Sequence, residues 1–252
     1  WRQTRDNYFF HREYSELRMF DQSGRIRHQV NTRVEVTPNQ QLTLGASGMW
    51  RRDAYDAMFG LHNTMDWNVS FDSDYTPNDK WSVYTYYSFD QGLFDITSVA
   101  KSGTPFNTSN IWYSDTSAIT NTFGAGTRYS FIPDRLILDL GYSFSLASQK
   151  ISNSNLQTNP ANPISASSYE WPSVHSDWHE VKVQLKYKVH KNLDFKAYYS
   201  AELYHLNDFA WDNLHPYMAG QTTDNSTQYL WLDSRYKDYI AHVFGIALKY
   251  VF

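Results

Sequence analysis

The chain has 252 residues, 41% hydrophobic and 19% charged, with a net charge of −4 and a pI near 6.1, so no basic excess points to nucleic acid. It has no cysteine, which excludes a disulfide framework, a thiolate nucleophile, a thiolate zinc site and the C-x-x-C-H attachment of c-type haem. A mean hydropathy of −0.61 and the lack of any apolar run of about 18 residues exclude a transmembrane helix, but not a membrane barrel, whose strands show only alternate residues to lipid.

In chain order, a strand is expected near 7–17 (NYFFHREYSEL), followed by a turn at DQSG. From there the sequence repeats with a period of two. Over 25–37, Val30, Thr32, Val34 and Val36 alternate with Gln29, Asn31, Arg33 and Glu35, which predicts a strand with one apolar and one polar face. TPNQ turns the chain, because Pro38 fixes φ and Asn39 tolerates turn geometry. Leu42, Leu44, Ala46 and Trp50 continue the apolar face over 40–50. The same unit returns with Met65, Trp67, Val69 and Phe71 over 63–76, the turn TPNDK, and Trp81, Val83, Tyr87 and Phe89 over 80–90.

Three further segments keep the pattern. Phe123, Ala125, Tyr129 and Phe131 (119–132) run into a turn at Pro133–Asp134, and Leu136 to Leu146 leave it over 135–147. Val181 to Val189 (177–189) enter a turn at His190–Asn192, and Leu193 to Leu203 (192–205) leave it. The final strand, 237–252, puts Ile240, His242, Phe244, Ile246, Leu248, Tyr250 and Phe252 on one face. Nine such strands follow the one at 7–17, which would put both termini at the same end.

Polar connections, at roughly 51–62, 91–118, 148–176 and 206–236, alternate with the tight turns. Short turns at one end and long loops at the other are the arrangement of an outer-membrane barrel, with periplasmic turns and extracellular loops. The expected fold is therefore an all-β, transmembrane, antiparallel up-and-down β-barrel with about ten strands in this chain. Residues 1–252 are read as one barrel domain or a barrel fragment. Charges at polar-face positions (Arg33, Glu35, Asp66, Asp72, Arg128, Asp139, Lys182, Lys186, Lys196, Glu202) would then line a lumen. Trp50, Trp67, Trp81, Phe89, Phe131, Tyr187 and Phe252 sit on the apolar face near predicted strand ends, where aromatic rings favour the membrane–water boundary. His242 shares the apolar parity and is expected near the extracellular boundary, since an ionisable group at mid-bilayer is costly.

The ending YIAHVFGIALKYVF resembles the C-terminal signature of bacterial outer-membrane barrels. Phe244, Ile246, Leu248, Tyr250 and Phe252 would be the strand that the barrel assembly machinery reads. The stretch from YSELRMFDQSG through TPNQQLTLGASGMWRRDAYDAMFGL, the hairpin TMDWNVSFDSDYTPNDKWSVYTYYSFD, and the close DYIAHVFGIALKYVF together resemble the MtrB/PioB family of outer-membrane barrels. That resemblance implies a porin-like sheath in the bacterial outer membrane. The sheath houses a periplasmic multihaem c-type cytochrome for electron transfer, and often docks an outer-surface multihaem cytochrome. The cofactor, haem, would sit on the partner and none in this chain. Lumen-facing candidates for partner contact are Arg27, Arg33, Glu35, Lys182, Lys186, Lys188 and Lys196. Family barrels have more than twenty strands, and ten cannot surround a folded cytochrome. The lack of a signal peptide and the abrupt Trp1 favour the C-terminal portion of a larger barrel over a small closed one. A diffusion or substrate-selective porin is the alternative, and an outer-membrane enzyme of the small-barrel type a further one.

No G-x-S-x-G, H-E-x-x-H or Gly-rich phosphate loop occurs, so no catalytic residue is assigned. In HSDWHE, residues 175, 177 and 179 would share a face of a strand, but a solvated strand entrance suits them better than a metal site. Asp208, Asp212, Asp224, Asn225 and Asp233 have ligand chemistry for surface calcium, without EF-hand spacing.

Overall fold

A computed structural model of the chain describes residues 23–99, 111–155, 171–209, 217–219, 228–230 and 238–250. The strand expected at 7–17, most of the acidic loop residues and Phe252 lie outside the described residues. Nine long strands form one antiparallel sheet in which each strand pairs with its neighbour in sequence: β1 (Gly24–Asn39), β2 (Leu42–Asp56), β3 (Gly60–Asn78), β4 (Trp81–Val99), β5 (Ile111–Ile132), β6 (Leu136–Ser154), β7 (Val174–His190), β8 (Leu193–Asn207) and β11 (Tyr239–Tyr250). Two short strands, β9 (Tyr217–Ala219) and β10 (Gln228–Leu230), make a separate hairpin in the last long connection. No helix among the described residues is long and apolar enough to cross a membrane.

The four tight turns lie at one end of the sheet, as the sequence requires. In the repeated T-P-N turns the Asn side chain holds the bend. Asn39 Oδ1 accepts the Gln41 N–H at 2.8 Å, and Asn78 Oδ1 accepts the Lys80 N–H at 3.0 Å. Asp134 takes a left-handed φ of 60°, which a short polar side chain tolerates.

The other end differs from expectation. The strands run six to nine residues past several predicted ends, so β4 reaches Val99 and β5 starts at Ile111. The predicted loop 51–62 shrinks to 57–59, and 91–118 to 100–110. The physical reason is solvent. Beyond the membrane both faces of a strand are wet, so sequences such as DITSV and DTSAITNT keep the ladder while losing the apolar alternation that announces a strand.

The register sorts side chains onto two faces. Most of the exposed large apolar residues share one of them, among them Val34 (62% exposed), Phe71 (53%), Phe244 (75%) and Ile246 (73%). A soluble sheet would bury such a face, so this one meets lipid. Its apolar run on β8 and β11 extends from the Leu193–Tyr250 pair to the Leu203–Ile240 pair. Ten residues at about 3.3 Å each, tilted by about 40°, rise about 25 Å, the height of a barrel's lipid-facing band. Above it stand His205 and Asp238, and on β2 and β3 the face changes at the paired Trp50 and Trp67 to Arg52 and Asn63. Trp50 and Trp67 thus mark the membrane boundary but lie mid-strand rather than at strand ends, because the strands continue above it.

Among the described residues the sheet is open. β1 and β11 are its edges and do not pair with each other.

Val183 and Gln184 are neighbours at one depth on opposite faces, paired with Leu140 and Asp139 respectively. In the whole protein folded into lipid vesicles, Val183→Arg is expected to cost about 2–4 kcal/mol and Gln184→Arg less than about 1 kcal/mol, read by denaturant titration.

Candidate functional site: the polar wall

The second face is a wall of paired charges. Arg27 on β1 binds Asp53 on β2 with two parallel hydrogen bonds, 2.7 and 2.8 Å. Arg51 reaches Asp66 at 2.7 Å, Arg128 reaches Asp139 at 2.8 Å, and Lys182 reaches Glu180 at 2.7 Å. Arg33 reaches past β2 to Asp72 on β3 at 3.1 Å and touches Glu35 at 3.4 Å. That reach is possible because β2 carries Gly45 beneath it, where a Cβ would collide with the Asp72 carboxylate. All seven sequence candidates (Arg27, Arg33, Glu35, Lys182, Lys186, Lys188, Lys196) therefore lie on the polar face, but they divide into two groups. The first four are ion-paired within the wall. Lys186, Lys188 and Lys196 are not, and they gather near the turns.

Tyrosines lie flat on this wall. A Cβ at Gly124 would run into the Tyr86 ring, one at Gly126 into Tyr84, and one at Gly245 into Tyr198. Each glycine stands directly opposite its tyrosine on the next strand. Tyr84 also spans toward β6, where a Cβ at Gly141 would come within 2.9 Å of its hydroxyl. The Tyr86 hydroxyl bonds Ser143 across β5 at 2.8 Å. Rings laid along the sheet cover bare backbone and leave little projecting from the wall.

Asp53 is the most buried charged group, 2% exposed, and lies on the extracellular side of Trp50, outside the membrane-spanning segment. The hydrogen bonds from Arg27 hold its carboxyl below the usual carboxylate range. Burial opposes this, while the charges of Arg27, Arg25 and Arg51 add to it. Phe59, 3% exposed, is the one buried hydrophobic among the described residues, in the short β2–β3 connection where Gly60 takes a φ of 113°.

Phe244, Ile246, Leu248 and Tyr250 alternate on the lipid face. His242 lies one outward position below the Leu203–Ile240 pair, near the extracellular boundary. It stacks on Tyr199, and its Nδ1 shares a hydrogen bond with the Tyr199 hydroxyl at 3.0 Å. His179 repeats the arrangement, stacked on Phe144 with Tyr142 at 2.8 Å. A hydrogen-bonded imidazole is tolerated near the boundary where a bare one is costly. In HSDWHE, Asp177 lies 3.8 Å from His179 and 3.4 Å from His205, while Glu180 turns to the polar face and pairs with Lys182. Among the described residues no group of three or more His, Asp or Glu side chains is arranged to hold a metal ion.

A two-faced sheet of nine long strands with an apolar outer band is the wall of a membrane barrel, and the comparisons with known proteins agree. The family model for the outer membrane beta-barrel porin MtrB/PioB matches residues 10–252. The chain belongs to this family. It is also 24% identical over 200 residues to "Outer membrane protein MtrB" of Shewanella baltica (strain OS185), a match covering 79% of this chain and 27% of that protein. The chain thus spans about a quarter of the length of that curated relative. Among solved structures it is similar to the ferric citrate transporter FecA (TM-score 0.58, 12% identity, 90% of this chain and 33% of that one). It is likewise similar to the copper transporter OprC (TM-score 0.57, 9% identity, 90% and 35%). At such identities these two show the fold alone. As an MtrB/PioB protein the chain is a porin-like barrel of the outer membrane, with its tight turns on the periplasmic side.

Several polar-wall residues escape sequence reasoning. Tyr84, Tyr86 and Tyr198 occupy polar-face positions, and only the register reveals the glycine opposite each. Arg135 sits in a turn, and only the backbone bond from the Lys188 N–H to its carbonyl, 2.7 Å, brings it beside the lysines.

Gly124→Val is expected to cost about 1–3 kcal/mol by displacing the Tyr86 ring, and much less in a Tyr86→Ala background; a double-mutant cycle in denaturant checks this. Because the folded Asp53 carboxyl titrates below its ordinary value near about 4, its stabilisation is complete above that value and lost as pH falls through the lower folded one. Amide exchange at the extracellular ends of β1 and β2 should rise on acidification below about pH 4, and Asp53→Asn should abolish that response.

Proposed function

We propose that this barrel wall is part of a sheath that houses and insulates a multihaem c-type cytochrome for electron transfer across the outer membrane. The observation that carries this reading is the polar wall. A barrel filled by its own side chains points long residues inward. Here tyrosines lie on glycines, Arg27, Arg33, Arg51, Arg128 and Lys182 are matched to carboxylates of the wall, and little protrudes. Such a surface suits a large occupant. The open sheet of nine strands and the 27% coverage of the curated MtrB protein support a wider barrel, in which β1 and β11 pair with further strands so that no backbone edge faces lipid.

The physical role follows from distance. A hydrocarbon core of about 30 Å is too thick for one electron hop at useful rates, so a chain of haems must span it. This chain has no cysteine and so no C-x-x-C-H attachment for haem. Its part is to keep lipid off the haem chain, hold the cytochrome in register and present its extracellular end to an outer-surface multihaem cytochrome. In this reading the chain is a scaffold and not an enzyme.

The test is affinity purification of the whole protein from outer membranes, with a haem stain and planar-bilayer conductance on the same sample. The expected result is a covalent-haem protein at about one copy per barrel and little conductance while it is bound. Robust channel currents with no haem-bearing partner would establish a diffusion or substrate-selective porin instead.

A further inference from the structure

Ion pairing on the polar wall breaks down in one place. Near the periplasmic turns of β5–β6 and β7–β8, the side chains of Arg135, Lys186, Lys188, Lys196 and Lys249 surround a depression of about 440 Å³. Asp134 and Asp194 are the carboxylates in its lining. Among the described residues, none of the five cations has a carboxylate within ion-pair distance, unlike Arg27, Arg33, Arg51, Arg128 and Lys182 on the same face. Lys186 stands directly opposite Lys196 across β7 and β8. Lys188 and Lys249 both stand opposite Asp194, from its two sides.

Like charges at directly opposed strand positions destabilise a sheet. Elsewhere on this wall the cations lie beside carboxylates, and the other directly opposed like-charged pair of β7 and β8, Glu180 and Glu202, has Lys182 at 2.7 Å from Glu180. Here the repulsion is left in place on a surface where four of the five cations are exposed. The outward neighbours on these strands, Tyr187, Phe195 and Leu248, belong to the lipid face, so the cations point away from lipid. The cluster stretches from the β5–β6 turn to β11. That is about 15 Å at about 4.8 Å per strand, wide enough to meet several carboxylates at once.

We infer that this cluster is a docking site for an acidic protein surface, one bearing several Asp or Glu carboxylates, entering the barrel from the periplasm. It rests on the sheath reading only for who the partner is; the acidic chemistry is set by the cluster itself. Partner carboxylates supply the counter-charges that the wall lacks, so binding relieves the Lys186–Lys196 repulsion and adds attraction. At the rim, within reach of periplasmic water, the cluster acts by steering and by fixing register, and its effect weakens with salt.

The test uses the whole protein in zwitterionic detergent, without partner, and a fluorescent decaglutamate peptide as probe. Wild type is expected to bind the probe with an affinity that falls steeply between low and high salt. Replacing Lys186, Lys188, Lys196 and Lys249 by Gln should weaken binding at least ten-fold. A control with Lys150→Gln, at the opposite end of β6 from the cluster, should stay within about two-fold. Lys196→Gln alone covers the case in which the fourfold variant misfolds. It should unfold at a denaturant concentration equal to or above wild type and still bind the probe more weakly, a combination that a structural role would not produce. Unchanged affinity in the fourfold variant would overturn the inference. So would lysine-dependent binding to phosphatidylglycerol vesicles with none to decaglutamate, which would mark a lipid-headgroup site. Haem staining of pull-downs with the same variants separates the two proposals. Haem protein retained undiminished by the fourfold variant defeats the docking site alone, whereas cluster-dependent decaglutamate binding with no haem partner defeats the sheath alone.

Discussion

Backbone hydrogen bonding in a medium without water governs this structure. In hydrocarbon an unpaired N–H or C=O costs several kcal/mol, and a strand satisfies its groups only through its neighbours. Pairing each strand with the next in sequence, through tight turns, meets that demand with the least chain. The Asx-type bonds at Asn39 and Asn78 and the left-handed Asp134 follow from it. So does the long ladder, which carries on above the membrane where water would also have served.

Once the ladder is laid down, the pleat divides the chemistry. Alternate residues face lipid and are apolar over about 25 Å. The others face the interior, where charges are tolerated if matched. Most are matched across adjacent strands, and each pairing depends on register: a slip of one residue would send Arg33 and Asp72 into lipid. Glycine at Gly45, Gly124, Gly126 and Gly245 lets a neighbouring side chain lie along the wall. The interior is therefore smooth and largely neutralised, except at the periplasmic rim, where Arg135 and four lysines outnumber Asp134 and Asp194 and make no ion pair among the described residues. A wall of this kind makes sense as the inner surface of a sheath with a charged entrance.

Much of the fold was legible in the sequence. All nine long strands of the sheet were readable from period-two alternation, together with their tight turns, because lipid on one side and water on the other imprint opposite chemistry on adjacent residues. The extracellular ends were misread as loops for the same reason. Where both sides are wet the imprint vanishes, so β4 beyond Phe89 and β5 before Ile119 looked like polar connections. The parity of Arg27, Arg33, Glu35 and the lysines was readable too, and placed them correctly on the polar face.

By itself the sequence determined which residues meet lipid and which meet water, where the chain turns on the periplasmic side, and the family that this pattern resembles. These are local properties, written every second residue. Tertiary structure alone decided which charges neutralise one another. Arg27 finds Asp53 26 positions away and Arg33 finds Asp72 39 positions away, while Lys186 meets Lys196. Register between strands sets those partnerships, and register is a property of the assembled sheet that no single strand contains.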